Sequence, residues 1–274
     1  MARRFDGIVD MHVHSAPDVR ARKHDDLQLL EAAQLTGLKA LVLKSHHFPT
    51  SERASLLNQL YPEVRTIGSI TLNEAVGGLN PKAVEVTASL GGKIVWLPTI
   101  DAENHRRKAG LTGGVRLFEQ GKPVSALCHI LEIIADRDLV LATGHISSVE
   151  IEPVIREAFK RGVQKVVITH PEYHIVNVSL KQQQKLVSEY PVYFERTFAQ
   201  PLKAGIYKMN MQTNIEAIHL VGYESTIIST DSGQLENPDW ADALEDMHAQ
   251  LHKHFPANKV DQIMKDNPSK LLEI

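Results

Sequence analysis

Short apolar runs and longer amphipathic stretches alternate along the chain. The apolar runs are of strand length: one closing at His14, then 39–46, 65–73, 93–100, 139–145, 164–170, 192–198 and 226–231. Between them, apolar positions recur at helical spacing and the ends carry helix start and stop signals. Helices are predicted over 25–37 (acid pair first, glycine last), 50–61 (ending before Pro62) and from Asn80-Pro81, a cap followed by a first-turn proline, to Gly91-Gly92. Further helices are predicted over 125–136, 147–161, 179–190, 212–222, 239–254 and 260–272. The rhythm breaks once. Residues 101–114 read as a polar, glycine-containing loop, and 115–124 as a hairpin around Gln120-Gly121-Lys122-Pro123. Gly110, Gly113 and Gly114 could hinge the loop as a lid, and the hairpin could meet another copy of the chain.

Strands alternating with helices imply a parallel sheet. Eight such units in 274 residues, without a linker or repeat, give a single α/β domain over 1–274, a (β/α)8 TIM barrel with an insertion at 101–124. A doubly wound open sheet would gather its polar residues at one switch point. Here they follow strands one, two, five, six, seven and eight, which favours the barrel.

In a barrel the C-terminal strand ends share one rim, where active sites lie. That rim collects His12 and His14, Lys44, His46 and His47, His145, His170 and His174, Glu195 and Arg196, and Asp231. In an extended strand His12 and His14 point the same way, and Asp10 is expected to join them. Imidazoles and a carboxylate buried together cost free energy without a partner, and a shared divalent cation would satisfy them.

His12-x-His14, His145, His170 and Asp231, each after the corresponding strand, resemble the ligand pattern of the amidohydrolase superfamily of metal-dependent hydrolases. The ending from Asn267-Pro268 to Leu272 is similar to its TatD-like and decarboxylase-related branches. The resemblance spans nearly the whole chain and implies a metal held by these five residues, with Asp231 as the general base toward water. Strand four departs from the pattern. It lacks the Glu or carboxylated Lys that bridges two metals in the family, and Asp101 and Glu103 lie too late to replace it. One ion is therefore expected first. Lys44-Ser45-His46-His47 resembles instead the polymerase-and-histidinol-phosphatase (PHP) group, and a modified Lys44 would serve a second ion. Zinc suits histidine-rich ligation; manganese, iron and nickel are also allowed. Asp10 or Glu172 is expected to fix the ligand tautomers.

Composition narrows the partner. The net charge is −3 with no basic stripe, which argues against nucleic acid, and no apolar run is long enough to span a membrane. One cysteine and no apolar stretch behind the N-terminal charges suit a cytoplasmic protein without a signal peptide. Arg20, Arg22, Lys23, Arg106, Arg107 and Lys108 lie in rim loops, while Lys44 and Arg196 lie in strands and are the first choices for holding a substrate anion. The expectation is a metal-dependent hydrolase of a small anionic amide, lactone or other ester. A metal-dependent decarboxylase or lyase, a PHP-like phosphoesterase and a metal-retaining binding protein are the alternatives, and the oligomeric state is left open.

Overall fold

Eight parallel strands close into a barrel in the computed structural model, which describes residues 5–203 and 206–274. The strands are β1 (Val9–Val13), β2 (Ala40–Leu43), β3 in two pieces (Arg65–Ile67 and Ser69–Thr71), β4 (Ile94–Trp96), β5 (Val140–Ala142), β6 (Lys165–Thr169), β7 (Val192–Thr197) and β8 (Thr226–Ser229). One ladder runs β1-β2-β3 and a second runs β3-β4-β5-β6-β7-β8, with Gly68 separating the two pieces of β3. The ring is completed between β8 and β1. There Val13 bridges Ser232, the Asp231 amide donates to the His12 carbonyl (2.9 Å) and the His14 amide donates to the Ser232 carbonyl (2.8 Å). Residues 1–4, part of the stretch read as lacking a signal peptide, lie outside the described residues.

The helix boundaries follow the capping chemistry of the sequence. Asp25 and Gln28 form a capping box ahead of helix Asp26–Thr36, which Gly37 stops in the left-handed conformation. Asn80 accepts from the Ala83 amide at the start of helix Pro81–Ser89, and Ser147 and Glu150 box the start of helix Ser148–Lys160. The ladders are shorter than the apolar runs, because the last residues of most runs leave the sheet to build the rim.

The barrel is filled by Val9, Met11, Ala40, Val42, Ile67, Ile94, Trp96, Val140, Ala142, Val167 and Ile227, with Leu271 and Leu272 joining from the C-terminal segment. Glu273 pairs with Lys93 (3.3 Å) and Lys165 (2.8 Å) where β4 and β6 begin. One mouth is thus plugged, and the other opens into a cleft. Two further apolar clusters fill the space between strands and outer helices.

Two stretches differ from expectation. Within 101–114 the chain forms a short helix, Glu103–Lys108, with its acid in the first turn and its basic residues in the last, an order that complements the helix dipole. Its ends are tied: the Val115 amide donates to the Asp101 carbonyl (2.7 Å) and Asn104 donates to the carbonyls of His145 (3.0 Å) and Ile175 (2.9 Å). After β7, Ala199–Lys203 and Ile206–Met209 pair antiparallel, a hairpin that no turn motif announced. Among the described residues no helix is long and apolar enough to cross a membrane.

Candidate metal centre

The first strand owes its chemistry to one extra residue. Asp10 pairs with Leu41, but the next paired residue, Val13, faces Leu43, so three steps of β1 oppose two of β2. This bulge reverses the alternation of faces. His12 and His14 turn into the barrel mouth, and Asp10, expected beside them, points outward. Its carboxylate accepts from the Thr230 hydroxyl (2.6 Å) and amide (3.1 Å) and from Trp240 Nε1 (3.0 Å). Burial raises Asp10 to about 6, against the pull of these donors. Asp10 is therefore part of the seam between β1 and β8.

Asp231 follows β8 with φ +50°, and His170 follows β6 with φ +28°; both are strained conformations for a residue with a Cβ. Gly233 holds the turn after Asp231 with φ +117°, where a Cβ would overlap the His14 carbonyl oxygen. The turn can thus lie directly on β1. As a result His12 Nε2 and His14 Nε2 stand 3.2 and 3.4 Å from Asp231 Oδ1, and the three residues present ligand atoms within 4.8 Å of one another. Gln234 Nε2 donates to the same carboxylate oxygen (3.1 Å).

The surroundings keep these imidazoles neutral. Burial pushes His12 down to about 3, partly opposed by Asp231, and does the same to His170; His14, His46 and His145 also fall well below the usual histidine range. Glu195 Oε2 lies 3.3 Å from His12 Nδ1 and so fixes its ring, the role expected of Asp10 or Glu172. Lys44 Nζ lies 3.0 Å from His12 Nε2 and over the Trp96 ring. Burial dominates both charged groups, taking Glu195 up to about 8 and Lys44 down to about 8 despite their mutual attraction.

His46, His145 and His170 line the same cleft with Tyr173, outside the three-residue group. His46 Nδ1 is held by Thr99 Oγ1 (2.8 Å), and Asn73 Nδ2 donates to that same hydroxyl (2.7 Å). His105 Nδ1 lies 2.7 Å from His145 Nδ1, leaving the other nitrogen of His145 for the cleft.

Several candidates fall elsewhere. Arg196, expected to hold a substrate anion, is completely buried on the outer side of β7, where it pairs with Glu172 and donates to Gln183 Oε1 (3.1 Å). Strand alternation is the reason: Glu195 and Thr197 face inward, so Arg196 faces out. His47 binds Asp18 (3.2 Å) on the rim, and His174 is exposed with its Nδ1 on Gln200 (3.2 Å). Arg22 is spent on Asp18 (2.6 Å) and reaches His14 Nδ1 (3.3 Å). Asp101 and Glu103 take no part: one accepts from the Glu74 amide (3.0 Å) and the other pairs with Arg116 (2.7 Å). Thr99, Asn73, His105, Tyr173 and Gln234 were not anticipated. Tyr173 and Gln234 each stand three residues past a candidate ligand, the only signal the sequence offered.

The donor set fits a divalent cation. Two neutral imidazoles and a carboxylate converge, and the sum of their charges leaves a dication partly uncompensated, as a Lewis acid requires. Zinc, manganese, iron and nickel all accept this set.

The chain belongs to a family of unknown function, DUF6282, whose model matches residues 7–195. No curated protein matches it. Solved structures similar to it belong to the amidohydrolase superfamily and share its TIM-barrel fold. A candidate 2-pyrone-4,6-dicarboxylic acid hydrolase from Pseudomonas putida is 15% identical, with 97% of each chain covered and a TM-score of 0.67. A zinc-bound amidohydrolase from Burkholderia multivorans is 12% identical over 97% of this chain and 99% of that one, with a TM-score of 0.65. A 2,6-dihydroxybenzoate decarboxylase, solved with 2,6-dihydroxybenzoate, is 11% identical over 98% and 100%, with a TM-score of 0.61.

Proposed function

We propose that this member of the DUF6282 family is a divalent-metal-dependent hydrolase of a small anionic substrate with an amide, lactone or other ester bond. The observation that carries the reading is the convergence of His12, His14 and Asp231 at the open barrel mouth, with ligand atoms within 4.8 Å. His12, His14 and Asp231 would hold the ion, with His145 and His170 beside them. When bound, it supplies Lewis acidity and makes water a stronger acid near neutral pH.

The chain's own residues supply the rest. Glu195 holds the ring of His12, and the hydrogen bond from Gln234 steadies the Asp231 carboxylate. Asp231 accepts a proton from the attacking water as its oxygen bonds to the substrate carbonyl carbon. It returns that proton to the leaving nitrogen or oxygen as the old bond breaks. Among the described residues that line the cleft, Lys44 is the cationic one and is placed to attract an anionic substrate.

The test is elemental analysis of the purified protein followed by a panel of lactones, N-acyl amino acids, aromatic carboxylates and phosphomonoesters. At least one metal equivalent per chain and turnover of an ester or amide are expected, with loss of turnover in Asp231→Asn. Release of CO2 from a carboxylate would replace hydrolysis by decarboxylation on the same centre, a reading prompted by the decarboxylase fold neighbour. Phosphate release would favour the PHP-like alternative. Metal without any turnover would leave a binding protein, and no metal at all would remove the proposal's basis.

A further inference from the structure

We propose that Tyr173 is a catalytic residue whose side-chain hydroxyl donates a hydrogen bond to the oxygen that gains negative charge at the reacting carbonyl. This rests on the hydrolase reading above and adds to it a neutral donor in the same cleft as the His12, His14 and Asp231 group.

Three observations carry it. First, Tyr173 lines the cleft with those three residues, and its ring stands edge-on to His170 (5.0 Å between centroids) and His145 (5.4 Å). Second, its backbone is fixed while its hydroxyl is not used. The Tyr173 amide donates to the His170 carbonyl (2.9 Å), and its own carbonyl accepts from the amides of Val176 (2.9 Å) and Asn177 (2.8 Å). The hydroxyl, by contrast, has no hydrogen-bond partner among the described residues, whereas the amides of Gln200 and Gln234 are already bonded to Asn210 and Asp231.

Third, the neighbouring residue is anchored from behind the sheet. Glu172 pairs with Arg196, which is fully buried, and accepts from Gln183 Nε2 (3.3 Å). A buried arginine facing away from the chemistry thus pins the turn that presents Tyr173. A phenol keeps its proton at neutral pH, so Tyr173 serves there as a donor. A preorganised donor of this kind acts where charge develops, without moving. No proton leaves the phenol in this role; the hydrogen bond only strengthens as the carbonyl becomes an oxyanion.

The experiment uses full-length protein loaded with zinc, in wild-type and Tyr173→Phe forms, with zinc content measured on each. Calorimetry compares methylphosphonate, a tetrahedral oxyanion, with imidazole, which offers a metal only nitrogen. Methylphosphonate is expected to bind the variant at least fivefold more weakly while imidazole affinity stays within twofold. On a substrate from the panel, kcat should fall by about 10²–10³ with KM within threefold. Equal methylphosphonate affinity in the two proteins, or no binding by zinc-loaded wild type, overturns the role of Tyr173 and leaves the hydrolase reading intact. A wild-type chain that takes up no zinc sinks that reading, and the role of Tyr173 goes with it.

Discussion

Glu195 and Arg196 are neighbours in β7 and both are buried ionisable residues, yet they serve different networks. Glu195 faces the barrel mouth with His12 and Lys44, among groups that can gain or lose protons or yield to a cation. Arg196 faces the helix layer with Glu172 and Gln183, away from the barrel mouth. The inner network gathers neutral imidazoles at the cleft, and the outer one holds a turn in place. One residue of strand alternation separates them.

Acid should break this comparison most visibly. Burial holds five inner histidines (12, 14, 46, 145 and 170) below the value of about 6.5 that histidine has in an unfolded chain. Below pH 6.5 the unfolded chain binds more protons, so the stability these rings contribute is complete above that pH. It is lost as pH falls toward the folded values, about 3 for His12 and His170. Each ring contributes up to about 1.4 kcal/mol per pH unit in that window. Asp10 and Glu195, raised to about 6 and about 8, work in the opposite sense but are only two. Metal-free protein should therefore lose several kcal/mol between pH 6.5 and 5, followed by its Tm. A flat Tm across this range would mean that the rings are not held neutral.

Arg196→Ala should cost about 3–5 kcal/mol in urea unfolding, because it strands the Glu172 carboxylate in the interior. A loss below 1 kcal/mol would merge the two networks into one kind. Glu195→Gln should do the reverse, changing stability little while weakening metal affinity about 10–100-fold, since it alters the group that orients His12. Competition with a chromogenic chelator measures this, and an unchanged affinity would demote Glu195 to packing. Thr99→Val removes the hydroxyl that His46 and Asn73 share and should cost about 1 kcal/mol, with metal content intact.

The strand-and-helix rhythm was legible because apolar runs, caps and glycine stops agree with one another at Asp25, Gly37, Asn80 and Ser147. The convergence of His12, His14 and Asp231 was legible because a barrel brings all C-terminal strand ends together. The orientation of Asp10 was not, because a single inserted residue in β1 leaves no mark in the hydrophobic pattern. Arg196 was misplaced because its position near the end of a strand was read like that of Glu195, without regard to the alternation of faces. Thr99, Asn73 and His105 escaped notice because their roles lie in contacts between loops far apart in the chain. The short helix Glu103–Lys108 looked like loop because its polarity hid the charge order that stabilises it.

The sealing of the barrel between β8 and β1 has a consequence for assembly. His12 and His14 come from the first stave of the hoop and Asp231 from just past the last, so the candidate seat for a cation does not exist until the hoop is joined. Any ion bound there would act as a clasp across the join, favouring the closed ring over every partly folded form. Chain fragments lacking β8 should then have no tight seat for the ion, and its removal should loosen the two terminal strands before the six between them.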